Sequence, residues 1–221
     1  MQIKDVRNSL PLNPNPKRRY NTRKLNSITQ IVLHCTGTGM PKLMPLARYD
    51  ITPRPDHHIS PQGCPGFTYH YYIDKDTVYY TSDAKNVTWH VGTHNENSVG
   101  VCMRYQSENN PNPPSKEQLQ VTYDLLIRLS LELGVSPNHI KGHRELLGTG
   151  YQIINGVKKL RKTYPGLLVI MEEVRYIISK GVQKFLGKIK LYKGLIDGDF
   201  GPKSMKAFQE YQKKKITLSR P

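Results

Sequence analysis

The sequence predicts an α/β fold, with a mixed central β-sheet flanked by helices and a small all-α domain at the C-terminal end. In the first part of the chain, short segments rich in β-branched and aromatic residues alternate with one long segment of helical periodicity. After Pro165 the pattern changes to helical segments around a Gly- and Asp-rich turn. We therefore divide the chain into a basic arm (residues 1–26), a main domain (27–174) and a small three-helix domain (175–221).

The first predicted elements are an arm, a strand and a long loop, and the loop is expected to be functional, for instance as one wall of a cleft. The N-terminal 26 residues are basic and rich in Pro and Asn, which predicts an extended arm. Ser27–Cys35 is apolar and β-branched, which predicts a buried strand with Val32 and His34 on one face and Cys35 on the other. The Pro- and Gly-punctuated segment Thr36–Phe67 predicts a long loop, and loops of that length usually serve function.

Further strands follow this loop. Thr68–Ile73 and Val78–Thr81 are rich in aromatic and β-branched residues and lie four residues apart, which predicts a hairpin. Ser98–Tyr105 predicts another buried strand.

The predicted helices have recognisable ends. Ser115 and Gln118 are placed as a capping box, and the helical periodicity that follows closes at Gly134. Leu167–Val174 predicts a helix that ends the main domain, and Pro202 suits the first turn of the last helix.

Composition limits the partners and the compartment. The formal net charge is +16, from 33 Lys and Arg against 17 Asp and Glu, which favours polyanions such as nucleic acid, anionic membranes or an anionic wall polymer. The three cysteines have no paired spacing, which suits a reducing compartment. The N-terminus lacks an apolar signal segment, and no run approaches the roughly 18 apolar residues of a membrane span. We expect synthesis in the cytoplasm without a signal peptide, and no membrane insertion.

The stretch Lys141–Gly166 is a candidate for half of a metal site. It holds His143 between polar and Gly-rich segments and, about twenty residues later, the run Lys162–Pro165. Imidazole is the commonest metal ligand among side chains. His34, at the end of the first predicted strand, is the candidate for the other half of the site.

Five motifs in order resemble a known family. They are LHCTG at His34, TYHYYID at Tyr69, WHVGTHNENSVGVC at His90, GHRE at His143 and RKTYPG at Lys162. Together they resemble the type 2 N-acetylmuramoyl-L-alanine amidases, the family of phage T7 lysozyme and the peptidoglycan recognition proteins. The resemblance covers most of residues 27–172 and implies the mixed α/β fold.

The resemblance also implies a site and a reaction. His34 and His143 would bind Zn²⁺, which activates water and polarises the carbonyl between the lactyl group and the first L-alanine. Tyr69 and Lys162 match the residues that stabilise the oxyanion or assist proton transfer to the departing amine. The residues expected to contact the substrate are His90, Asn97, Ser98 and Cys102.

One position departs from the family pattern. The third zinc ligand of this family is a Cys or Asp, and Tyr164 stands there. A phenol ionises near pH 10 against about 8.5 for a thiol, and tyrosine is not among the usual zinc ligands. Three alternatives stay open: Tyr164 ligates zinc weakly, another residue such as Cys102 replaces it, or the metal is lost.

The last unit resembles a peptidoglycan-binding domain of the three-helix type, through the LIDGDFGPKS turn and the AFQEYQ helix of residues 195–212. A helical extension of the main domain is the alternative. We expect a monomeric, endolysin-type, zinc-dependent peptidoglycan hydrolase that cuts between N-acetylmuramic acid and L-alanine. It would reach the wall through a holin or as part of a virion. The alternatives are a non-catalytic peptidoglycan-binding protein, because of Tyr164, and a nucleic-acid binder. We expect no nucleic-acid partner, because no nucleic-acid-binding motif accompanies the charge.

Overall fold

The computed structural model describes residues 1–37, 39–107 and 112–218. Its strands in chain order are β1 (Gln2–Asp5), β2 (Gln30–Gly37), β3 (Tyr71–Asp74), β4 (Thr77–Tyr80), β5 (Ser98–Gln106), β6 (Ile140–Gly142), β7 (Tyr151–Ile154) and β8 (Val157–Leu160). The helices are α1 (Leu43–Ile51), α2 (Lys116–Leu133), α3 (Met171–Lys188) and α4 (Pro202–Leu218).

The central sheet is mixed, as predicted. Its strand order is β1-β4-β3-β5-β2-β6, and β7 and β8 form a separate two-stranded sheet. Only β3 and β4 are paired antiparallel within the six-stranded sheet; the other pairs are parallel. Since β2, β5 and β6 are parallel neighbours, their carboxyl ends lie at one edge of the sheet, where open α/β sheets bind ligands.

The long helix begins and ends where the sequence predicts. The Ser115 hydroxyl accepts a hydrogen bond from the Gln118 N–H at 3.2 Å, and Gly134 ends α2 with a φ of 72°. That φ lies in the left-handed region, which glycine adopts at low cost. The buried face of α2 contributes Leu125, Leu126 and Leu129 to the core.

The C-terminal helices share the core of the main sheet. One hydrophobic cluster joins Leu33 of β2 and Met103 of β5 to Ile178 and Val182 of α3 and Phe208 of α4. The predicted boundary between residues 174 and 175 falls inside α3, and the described residues beyond it hold the rest of α3 and then α4. A separate wall-binding domain therefore stays a prediction.

Four elements were not predicted, and one of them is strand β6, which pairs with β2. Strand β1 lies in the predicted arm and pairs with β4 at the sheet edge. Helix α1 lies in the predicted loop, where Pro45 occupies its first turn, a position that tolerates proline. Hairpin β7–β8 lies in the Gly-rich stretch before Lys162. Among the described helices, none is long and apolar enough to cross a membrane.

Candidate functional site

The sheet brings His34 and His143 together. His34 lies near the carboxyl end of β2, and Leu33 is in register with Gly142, the last residue of β6. His143 follows directly, and its ring centroid lies 4.9 Å from that of His34. Cys35, on the opposite face of β2, packs in the main hydrophobic core. The side chains of β2 alternate as predicted, so His34 points away from the main core that contains Cys35.

A chain of hydrogen bonds from Ser98 determines which ring nitrogen is protonated in His90 and in His34. The Ser98 hydroxyl donates to the His94 carbonyl at 2.6 Å, so it accepts from His90 Nε2–H, which is 3.2 Å away. Burial lowers the pKa of both His90 and His34 well below the usual value, which keeps both rings neutral. The bare His90 Nδ1 then accepts from His34 Nε2–H at 3.0 Å. His34 Nδ1 is left with a free lone pair.

His143 also presents a bare nitrogen. Burial, together with the charge of Lys162, lowers its pKa to about 4, so the ring is neutral. Its Nδ1 is buried without a hydrogen-bond partner in the structure. A buried polar atom without a partner is costly, and a cation would satisfy it. The two imidazoles therefore fit a zinc ion.

Tyr164 occupies the third position. The Arg144 N–H donates to the Tyr164 carbonyl at 2.9 Å, and the phenol ring lies 6.2 Å from the His143 ring. The hydroxyl rests against Gly37, where a Cβ atom would lie 2.8 Å from it. Within residues 1–37, 39–107 and 112–218, no group of three or more His, Cys, Asp or Glu side chains could hold a metal. The donors present fit zinc at two positions, and the third has only a phenol.

These groups surround a single cavity of about 560 Å³. The Tyr69 ring lies 5.1 Å from the His34 ring, and burial raises the pKa of the phenol well above its usual value, so it stays a donor. The Lys162 ammonium lies 5.6 Å from the centre of the Tyr164 ring. The predicted residues that line this cavity are His34, Tyr69, His90, His143, Lys162 and Tyr164.

Three predicted substrate contacts, Asn97, Ser98 and Cys102, are not among the residues that line the cavity. Asn97 accepts a hydrogen bond from Gln30 Nε2 at 2.9 Å, and Ser98 supports His90. Cys102 is fully buried in a cluster that includes Tyr69, and burial raises the pKa of its thiol well above the usual value. A direct contact of these residues with substrate stays a prediction; their observed contacts support neighbouring side chains.

Asp50 is a cavity residue that the sequence interpretation missed. This α1 residue is 2% exposed, and its Oδ2 accepts from the Thr68 N–H at 3.0 Å and the Thr68 hydroxyl at 2.8 Å. Burial raises the pKa of its carboxyl to about 7 although these hydrogen bonds act in the opposite direction. No local sequence pattern marks it, because its burial depends on the packing of α1 against Thr68. Leu46, His58 and Ile59 also line the cavity, as expected for the segment Thr36–Phe67 as one wall of a cleft.

Comparisons with known proteins relate this chain to a sequence family and to solved structures of similar fold. Residues 24–166 match the family model described as N-acetylmuramoyl-L-alanine amidase. Endolysin Ph2119, from a Thermus scotoductus bacteriophage, is 18% identical with a TM-score of 0.56, over 80% of this chain and 98% of that one. The endolysin amidase LysCS from Clostridium intestinale is 21% identical with a TM-score of 0.51, over 79% and 93%. Bumblebee PGRP-SA is 16% identical with a TM-score of 0.50, over 67% and 86%. At these identities the likeness establishes a shared fold. No curated protein sequence matches the chain.

Proposed function

The chain belongs to the N-acetylmuramoyl-L-alanine amidase family, and from this premise we propose that it is a zinc-dependent peptidoglycan hydrolase. Its reaction is hydrolysis of the amide bond between N-acetylmuramic acid and the L-alanine of the stem peptide. The observation that carries the proposal is the adjacent pair of neutral, buried imidazoles, His34 and His143, each with a bare Nδ1.

His34 and His143 would hold the ion, which supplies Lewis acidity and an activated water when bound. The Tyr69 phenol, kept protonated by burial, donates a hydrogen bond to the carbonyl oxygen as that oxygen gains negative charge. The Lys162 ammonium, on the same cavity wall, stabilises that charge and can pass a proton to the departing amine. The hydrogen bonds from His90 to Ser98 and from His34 to His90 keep the proton of His34 on Nε2. The lone pair of His34 is therefore on Nδ1, where it can bind a metal.

Asp50 adds a group for proton exchange. Its carboxyl lines the cavity and has a pKa of about 7, so it changes protonation state near neutral pH. A group whose pKa matches the working pH is suited to general acid–base catalysis.

Tyr164 is the third ligand in this proposal, bound through its oxygen. A phenolate forms less readily than a thiolate near neutral pH. If one of four ligands contributes about a quarter of the free energy of a structural zinc site, its loss costs about 3 kcal/mol, or about a hundredfold in affinity. We therefore expect weaker zinc binding than a cysteine at this position would give.

The proposed biological role is that of an endolysin. Two of the similar structures are endolysins, and the +16 charge suits an anionic wall. In this role the protein is made in the host cytoplasm, acts on the wall as a monomer after holin-assisted release or from a virion, and residues 175–221 contact peptidoglycan.

A second candidate function is peptidoglycan binding without catalysis. It is favoured by Tyr164 at the ligand position, together with the lack of a three-donor group of His, Cys, Asp or Glu in the described part of the chain.

Clearing of purified cell-wall sacculi distinguishes the two functions. The hydrolase clears a sacculus suspension, stops when a chelator is added, and recovers when zinc is supplied in excess. A His143→Ala variant that remains folded should not clear. Failure to clear with zinc supplied, combined with continued co-sedimentation with sacculi, would leave the non-catalytic binder.

A further inference from the structure

Hairpin β7–β8 projects from the protein beside the cavity. Its strands are joined by Asn155 and Gly156, with φ values of 52° and 76°, as a type I′ turn requires. At the base, the Arg161 N–H donates to the Gly150 carbonyl at 2.8 Å. The hairpin therefore has a fixed base and a tightly defined tip.

The tip is aliphatic on both faces. Ile154 is in register with Val157 and Ile153 with Lys158, so Ile153 and Ile154 lie on opposite faces of the ribbon. Their exposed fractions are 55% for Ile153, 42% for Ile154 and 59% for Val157. A two-stranded ribbon that buries neither face gains little stability in water. Such a tip is suited to an apolar environment supplied from outside.

Four cationic side chains lie on β8 and in the two residues after it. They are Lys158, Lys159, Arg161 and Lys162. The chain has no Asp or Glu from residue 146 to residue 171. None of the ion pairs formed within the described ranges includes these four side chains. Positive charge without a carboxylate partner in the described ranges thus follows the aliphatic tip along the chain.

We propose that this hairpin is an anchor for the surface of an anionic lipid bilayer. Ile153, Ile154 and Val157 enter the boundary between headgroups and acyl chains, and Lys158 and Lys159 of β8 meet the lipid phosphates. Strands of four residues reach this boundary but do not span the bilayer, which takes about nine or more residues per strand. The contact is adsorption at the surface and is independent of the proposed hydrolysis.

Charge and side-chain type favour lipid over other occupants. A second copy of the chain that docked through the same hairpin would bring two sets of Lys and Arg side chains together, and their positive charges would repel. A sugar polymer is rich in hydroxyl groups, whereas the isoleucine and valine side chains of the tip offer no hydrogen-bonding group. The aromatic residue of the hairpin, Tyr151, lies at its base under Lys158, whose Nζ is 4.4 Å from the ring centre.

Vesicle co-sedimentation of the full chain tests the proposal. The protein should bind vesicles that contain phosphatidylglycerol, bind pure phosphatidylcholine far more weakly, and lose binding as salt is raised. Ile154→Ser with Val157→Ser should weaken binding about tenfold or more. Lys158→Gln with Lys159→Gln should weaken it about fivefold per lysine.

A matched control is Leu25→Ser, which removes a leucine of similar exposure (45%) outside the hairpin and should leave vesicle binding unchanged. The thermal midpoints of all variants should agree with that of the parent. Absence of binding to anionic vesicles, or equal binding by parent and tip variants, would overturn the proposal. So would tip variants that lose co-sedimentation with sacculi while vesicles are never bound, because the hairpin would then serve the wall polymer.

A fluorophore at the tip reports on insertion directly. Cys35, Cys64 and Cys102 are buried, so an added surface cysteine is labelled selectively. An environment-sensitive label at Ile154→Cys should shift to the blue when anionic vesicles are added, and the same label at Leu25→Cys should not. An unshifted Ile154→Cys spectrum in the presence of bound vesicles would contradict insertion of the tip.

Discussion

At the scale of single residues, Ser98 sets the protonated nitrogen of two histidines. Replacing Ser98 with Ala removes the acceptor of His90 Nε2–H, and His34 can then present the wrong nitrogen. Because outer hydrogen-bond partners of metal ligands typically contribute tenfold or more, we expect zinc affinity to fall by about tenfold or more in the folded variant. Metal titration, with ¹⁵N spectra of the histidine rings, measures both effects. Unchanged affinity and ring spectra would contradict this role, and Ser98→Thr should restore both.

The carboxyl of Asp50 should make stability depend on pH. Its pKa is raised from 3.8 to about 7 in the folded protein, so the folded state keeps a proton that the unfolded state releases. The stabilisation is complete below about pH 4 and is lost as pH rises through about 7, by up to a few kcal/mol. We expect Asp50→Asn, which keeps acceptors for Thr68, to unfold at increasingly higher temperature than the parent as pH rises from 5 to 8. Thermal midpoints that stay parallel would contradict the raised pKa.

Whether Tyr164 binds zinc decides between a hydrolase and a non-catalytic peptidoglycan-binding protein. Two substitutions at this position test whether it does. Tyr164→Cys introduces a stronger ligand, so zinc affinity should rise by up to about a hundredfold, the factor for a whole ligand, and hydrolysis should increase. Tyr164→Phe keeps the ring and removes the oxygen, so zinc content should fall. Elemental analysis of purified proteins measures both. Equal zinc in the parent and the phenylalanine variant would mean that the tyrosine oxygen is not a ligand.

The sequence motifs predicted which motif residues line the cavity, but they did not predict the neighbouring residue Asp50. His34, His143, Tyr69 and Lys162 all line the cavity, and strand alternation in β2 accounts for the direction of His34. Asp50 was missed because its burial depends on the packing of α1 against residues far away in sequence. No local pattern contains that information.

At the scale of elements, α3 joins the C-terminal residues to the core of the main sheet. Ile178 is fully buried, so Ile178→Ala should cost about 2–5 kcal/mol and shift the unfolding of the whole molecule. The exposed Lys184→Ala on the same helix should have little effect. Calorimetry should show one transition in each protein. Two transitions, of which one alone shifts, would establish residues 175–221 as an independent domain.

Helices and strands with a clear hydrophobic periodicity, or with a recognisable helix cap, could be predicted from the sequence. The predicted ends of α2 are confirmed, because Ser115 and Gly134 encode its termini locally. Strand β1 and hairpin β7–β8 were missed because each has four-residue strands without a strong apolar alternation. The Asn155–Gly156 dipeptide was a usable hairpin signal that the interpretation of Lys141–Gly166 as half of a metal site did not use.

At the scale of the whole molecule, the fold class and the family were both predictable. Five motifs in order carry the family, and the family match over residues 24–166 confirms it. The packing of α3 and α4 against the sheet was not predictable, because an apolar helical face does not specify which surface covers it.

The products released from purified sacculi test the central claim most directly. Mass spectrometry should find stem peptides with a free L-alanine amine and glycan strands with free lactyl carboxyl groups, and a chelator should abolish both. New reducing sugar ends, or peptides cut at another bond, would contradict amidase cleavage at this position. Sacculi that are bound but chemically unchanged, with zinc supplied, would contradict catalysis itself.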